Sequence, residues 1–174
     1  MATCETAPLA WHDGMLVGHP ALDAVHEEFV ALIAALSNAA DADVAAALQM
    51  LATHSREHFA TEDDWMIRSG FPARACHLAE HEAVMRSVAG VQTRVAAGDV
   101  AAARRLAMAL AEWFPGHADY LDAALVHWMC KQQHGGKPVV IRRHRSTDPS
   151  TDLSTASSTD LPVHPPAAPA LAGC

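Results

Sequence analysis

The 174-residue chain holds a single tyrosine, and aromatic residues make up only 5% of it. Runs of β-branched residues are also few, so a large sheet has little to build on. The four cysteines, Cys4, Cys76, Cys130 and Cys174, form no C-x-x-C pair. That excludes a zinc ribbon or a thioredoxin-type motif, and the thiols are expected to be reduced. Lys and Arg number 12 against 20 Asp and Glu, for a net charge of −8, with the acidic excess in residues 1–133. No basic stripe marks the chain as a nucleic-acid binder. No apolar run approaches the ~20 residues of a membrane span. Residues 1–10 lack the basic start and long apolar run of a secretory signal, so a soluble cytoplasmic protein is expected.

What the chain does have is alanine and helical periodicity. Hydrophobic residues make up 51% of it, and alanine has the best helix propensity. Residues 1–19 read as an irregular arm, with Trp11 packing on the end of the helical region. A first helix is expected over 20–38, opened by Pro20, with an apolar stripe of Leu22, Val25, Phe29, Leu32/Ile33 and Leu36. A second is expected over 44–69, capped by Asp41-Ala-Asp43 and ended by Gly70. Its stripe runs Val44, Leu48, Leu51, Ser55, His58, Glu62, Trp65. A third covers 73–97, with His77, His81, Val84, Val88, Val91 and Val95 on one face. Gly98 ends it and Asp99 caps the next. A fourth covers 100–131, with a stripe of Leu106, Leu110, Trp113, His117, Leu121 and Ala124. Pro115-Gly116 predicts a bend or break in it. Short connections make neighbouring helices antiparallel. The fold class is therefore all-α, an up-down-up-down four-helix bundle over residues 20–133.

From His134 the composition shifts to Gly135-Gly136, a basic cluster at Arg142, Arg143 and Arg145, and a Ser-Thr-Asp triplet repeated from Ser146, Ser150 and Ser158. Such a tract has too little apolar surface to fold, so residues 134–174 are expected to be a disordered tail.

The seams of the bundle carry the wrong residues for a plain core. His26, His58, Glu62, His77, His81 and His117 replace apolar residues on four helices. Asp122, five residues past His117, falls about 140° around an α-helix, at the seam edge. The i,i+4 pairs His58/Glu62 and His77/His81 each share one helix face. Burying so many polar groups is costly unless something binds them, and a metal centre in a bundle core is the economical explanation. Five imidazoles and two carboxylates are too many for one ion, which points to two. Imidazole suits Fe, Zn, Cu and Ni alike. If both ions are octahedral, five histidines, two bridging carboxylates and a single-atom bridge leave one of the twelve positions open. His54, one turn before His58, either orients a ligand or is an ordinary half-exposed histidine. His12, His19, His127, His134, His144 and His164 fall away from the site.

Over residues 11–130 the sequence resembles the hemerythrin family, in its bacterial single-domain form. The likeness rests on Trp11-x6-Gly18, Asp23-x-x-His26, His58-Phe59 with Glu62, the Gly70-Phe71-Pro72 corner, His77-x3-His81 and Trp113-x3-His117-x4-Asp122. The Pro115-Gly116 pair departs from the family pattern. The resemblance implies a non-haem di-iron centre, oxo- or hydroxo-bridged, that binds O2. It implies that His77, His81 and His117 hold one iron and His26 and His58 the other, with Glu62 and Asp122 bridging. Trp113 and Phe114 would line the ligand pocket. Oxygen carriage, storage or delivery, without catalysis and with an unidentified protein client, is the expected function. The competing ones are an O2, NO or redox sensor acting through the tail or a partner, and a di-iron peroxidase or oxidase.

Overall fold

The computed structural model describes residues 9–135. They form helices α1 (Pro20–Asn38), α2 (Val44–Ser69), α3 (Arg74–Ala96), α4 (Ala101–His117) and α5 (Ala123–Gln133). A π-helical turn, Ala118–Asp122, joins α4 to α5. The fourth expected helix is therefore α4, the π turn and α5 in series. α1 packs on α2 and α4, and α3 packs on the same two, which is the antiparallel four-helix bundle. Among the described residues no helix is long and apolar enough to cross a membrane. The expected tail, apart from His134 and Gly135, lies outside the described residues.

The helix ends follow local chemistry. Pro20 opens α1, and His19 Nδ1 accepts the Leu22 N–H at 3.3 Å. Gly70 closes α2 in the left-handed region at φ 62°. The N–H groups of Gly70 and Phe71 then return to the carbonyls of Ile67 and Met66, a C-cap that a β-carbon would strain. Phe71, so turned, packs with Met66 and Leu125. Asp99 caps as expected, its Oδ1 accepting the Ala102 N–H at 3.1 Å. Asp43 does not: it stands at the start of α2 in helical conformation and makes no side-chain cap. Its neighbour Asp41 reaches Arg104 on α4 at 2.6 Å instead.

The arm is less irregular than expected. Asp13–Met15 forms a 3-10 turn, Met15 and Val17 are buried, and Trp11 packs against the core. Asp23 holds this segment. Its two carboxylate oxygens accept the N–H groups of Val17 at 2.7 Å and Gly18 at 3.2 Å. Two donors on one charged acceptor set the expected cost: Asp23→Ala loses about 1.5–3 kcal/mol of stability. Urea unfolding of the variant beside the parent measures it, and an unchanged midpoint would mean that the arm is not anchored there.

Candidate metal centre

All seven seam residues converge. His26 comes from α1, His58 and Glu62 from α2, His77 and His81 from α3, His117 from α4, and Asp122 from the π turn. Each is no more than 4% exposed. The atoms able to bind a cation fall into two groups: Glu62, His77, His81, His117 and Asp122, and His26, His58 and Glu62.

Asp122 is not at the seam edge, as the sequence implied, but fully buried at the centre. The reason is the π turn, in which the Ala123 N–H reaches back to the Ala118 carbonyl, five residues away. That winding adds one residue to the turn and brings the fifth residue after His117 onto its face. The rest of the stripe moves by one: Leu125 and Val126 are buried, Leu121 is half-buried and Ala124 exposed. Pro115 itself causes no break, since α4 runs through it to His117. The irregularity expected at Pro115-Gly116 lies three residues later.

The two carboxylates stand between the histidine sets. Glu62 Oε1 lies 2.5 Å from His58 Nε2, and its Oε2 lies 2.9 Å from His77 Nε2 and 3.4 Å from His81 Nε2. Asp122 Oδ2 lies 3.2 Å from His26 Nε2, while its Oδ1 lies 3.1 Å from His77 Nε2 and 3.3 Å from His117 Nε2. His81 Nε2 and His117 Nε2 are 3.0 Å apart. Yet the nitrogens of His26, His58 and His77 and all four carboxylate oxygens lack a properly directed hydrogen bond. Within each group the candidate ligand atoms all lie within 4.8 Å of one another, a spacing that a shared cation would accommodate. Buried polar atoms in such numbers need a partner, and the donor set of imidazole and carboxylate fits a transition metal.

Protons take part of that role when metal is absent. Burial alone would lower the His77 pKa, but Asp122 and Glu62 outweigh it and raise the group to about 9. His81, buried and facing other imidazoles, drops to about 3. Burial and Asp122 push Glu62 upward, but His58 and His77 leave it below the usual glutamate value. Asp122 overcomes its burial through His117, His26 and His77 and lies well below the usual aspartate range.

Aromatic rings wall the cluster. Phe114 meets the edge of His26 at 5.1 Å between centroids and packs on Phe29 at the same separation, and Phe29 meets His58 at 5.9 Å. Phe59 stacks on His81 at 3.9 Å. Phe114 therefore lies on the two-histidine side, while Trp113 sits against His117 at 4.3 Å on the other. Phe29 reads as plain core in the sequence and Phe59 only as the neighbour of His58 in a motif; their spacing of one turn or less from a histidine is the signal that could have flagged both as walls of the site. Half-buried His54 places Nε2 3.2 Å from the Val25 carbonyl and its ring 5.8 Å from His58, outside the converging set. His12 caps the 3-10 turn, His127 and His134 are exposed, and His144 and His164 lie outside the described residues.

Residues 17–128 match the family model described as the hemerythrin HHE cation binding domain. The chain belongs to the hemerythrin family. It is 36% identical over 124 residues to a bacteriohemerythrin of Ralstonia nicotianae, covering 71% of this chain and 90% of that one. It is 26% identical over 142 residues to a bacteriohemerythrin of Stenotrophomonas maltophilia, covering 75% of this chain and 92% of that one. No solved structure matches. As a hemerythrin-type domain, the bundle is a non-haem metal-binding fold, and the buried histidine and carboxylate cluster is where a cation fits.

Proposed function

We propose that this hemerythrin domain holds two iron ions and binds O2 reversibly, for carriage, storage or delivery. One observation carries the reading. Each buried carboxylate turns one oxygen toward each histidine set, which would suit a carboxylate shared between two ions. His77, His81 and His117 would hold one ion and His26 and His58 the other, with Glu62 and Asp122 shared. The set is rich in histidine and differs from the Glu and Glu-x-x-His pattern of carboxylate di-iron bundles. When bound, the iron pair supplies the electrons with which O2 is held.

The protein's part is to orient and to exclude water. The two-histidine side carries one imidazole fewer, so an ion held there would be one ligand short and could take a small molecule. Phe29 and Phe114, both fully buried, close that side with apolar surface, and water kept out cannot hydrolyse or displace what is bound. The test is iron per chain together with the visible spectrum of the reduced protein, taken under argon, in air, and under argon again. Two irons and a colour that comes and goes with O2 are expected. Iron with irreversible oxidation would favour a sensor or an oxidase, and a chain without iron would overturn the metal assignment.

A further inference from the structure

We infer that Glu80 is a positioning residue for the centre, fixing the tautomer and orientation of His117 and placing a negative charge against the three-histidine ion. The inference rests on the iron-binding reading above. Glu80 lies between His77 and His81 on α3, but its carboxylate reaches across to α4. Its Oε2 accepts the Trp113 indole N–H at 3.0 Å and lies 3.1 Å from His117 Nδ1. Trp113 and His117 are one helical turn apart, so a single oxygen clamps two side chains of the neighbouring helix.

An indole N–H only donates, which makes Oε2 an acceptor. A neutral His117 then gives it the Nδ1 hydrogen and keeps the Nε2 lone pair facing inward, toward Asp122 Oδ1 and His81 Nε2. The tautomer of a ring nitrogen is set by the bond that the other nitrogen makes. The remaining four imidazoles have no such partner: Nδ1 of His26, His58, His77 and His81 is buried without a hydrogen bond. Glu80 also differs from the bridging pair in being about half exposed, at 47%, whereas Glu62 and Asp122 are fully buried. It acts on the metal through His117, from outside the ligand set. A carboxylate behind an imidazole raises its basicity as a ligand, and its charge favours the more oxidised ion.

The experiment uses the full chain and three variants, Glu80→Ala, Glu80→Gln and Trp113→Phe. Ferrous iron affinity is read by chelator competition, the reduction potential by spectroelectrochemistry, and the melting temperature on the metal-free proteins. Glu80→Ala is expected to bind iron about 10–100-fold more weakly and to show a raised potential. Glu80→Gln, whose amide oxygen still accepts from both donors, keeps most of the affinity but shares the raised potential. Trp113→Phe, which removes one donor from Glu80 but leaves its contact with His117, is expected to change both less than Glu80→Ala does. Wild-type affinity and potential in Glu80→Ala would overturn the inference. So would a Trp113→Phe variant that reproduces Glu80→Ala, or a lowered melting temperature with no change in potential. Absence of iron from the parent chain would instead overturn the metal reading before any variant is compared.

Discussion

Removing the metal is expected to lower the melting temperature of the domain by roughly 10–20 °C. A ligand that binds only the folded state at a thousand times its dissociation constant adds about 4 kcal/mol, and each kcal/mol moves a domain of this size by a few degrees. The unliganded cluster has little to offer in exchange. It holds two fully buried carboxylates and five nearly buried imidazoles, most of their polar atoms without a directed hydrogen bond. Calorimetry before and after chelation under reducing conditions measures the difference. Coincident transitions would mean that the seven side chains are stable together without a cation. The metal-free protein should also respond to pH in a defined way. His77 is raised in the folded state, so its stabilising proton is fully present below pH 6.5 and is lost as the pH climbs through about 9. His81 is depressed to about 3, so it opposes folding as the pH falls from 6.5 toward that value. Between them they place the best pH of the metal-free protein near 6.5, and the metal-bound form should lose this dependence on His77, whose proton the cation displaces.

Replacing His77 with alanine is the most damaging single change expected at the site. His77 Nε2 is the one nitrogen close to both carboxylates, 2.9 Å from Glu62 and 3.1 Å from Asp122. Its loss removes one of three imidazoles from its set and leaves two buried carboxylates with less to compensate them. Taking one partner from a buried charged pair costs about 3–5 kcal/mol. The variant should hold at most half the iron of the parent and unfold at distinctly lower denaturant. Elemental analysis and urea titration of the two proteins decide it. A full iron complement would remove His77 from the ligand set.

The bundle was legible in the sequence because its seams keep a regular step. Gly70, Gly98 and Pro20 fixed helix ends by rules that depend only on backbone conformation. The site was legible where ligands come in i,i+4 pairs, as in His58/Glu62 and His77/His81, since α-helical geometry puts each pair on one face. Three things escaped. Asp43 looks like an N-cap, but whether a side chain caps depends on the conformation of its own residue, which composition does not reveal. Asp122 and the stripe beyond it were placed by counting 3.6 residues per turn, and the π turn breaks that count. Glu80 gave no signal of its own, because a charged residue on a helix surface is ordinary until the neighbouring helix presents two donors to it.

The π turn also bears on how such a protein would be rebuilt. An engineer smoothing the fourth helix into an ideal amphipathic rod would remove one residue and gain regular hydrogen bonds. The same edit would swing Asp122 away from the centre while Leu125 and Val126, buried against the rest of the bundle, argue for keeping their places. Perfection of the helix and completeness of the cluster are thus competing specifications. A redesign scored on helical regularity alone would yield a sound bundle with one wall of its metal cage missing, because sites that break a local rule are commonly the ones kept for function.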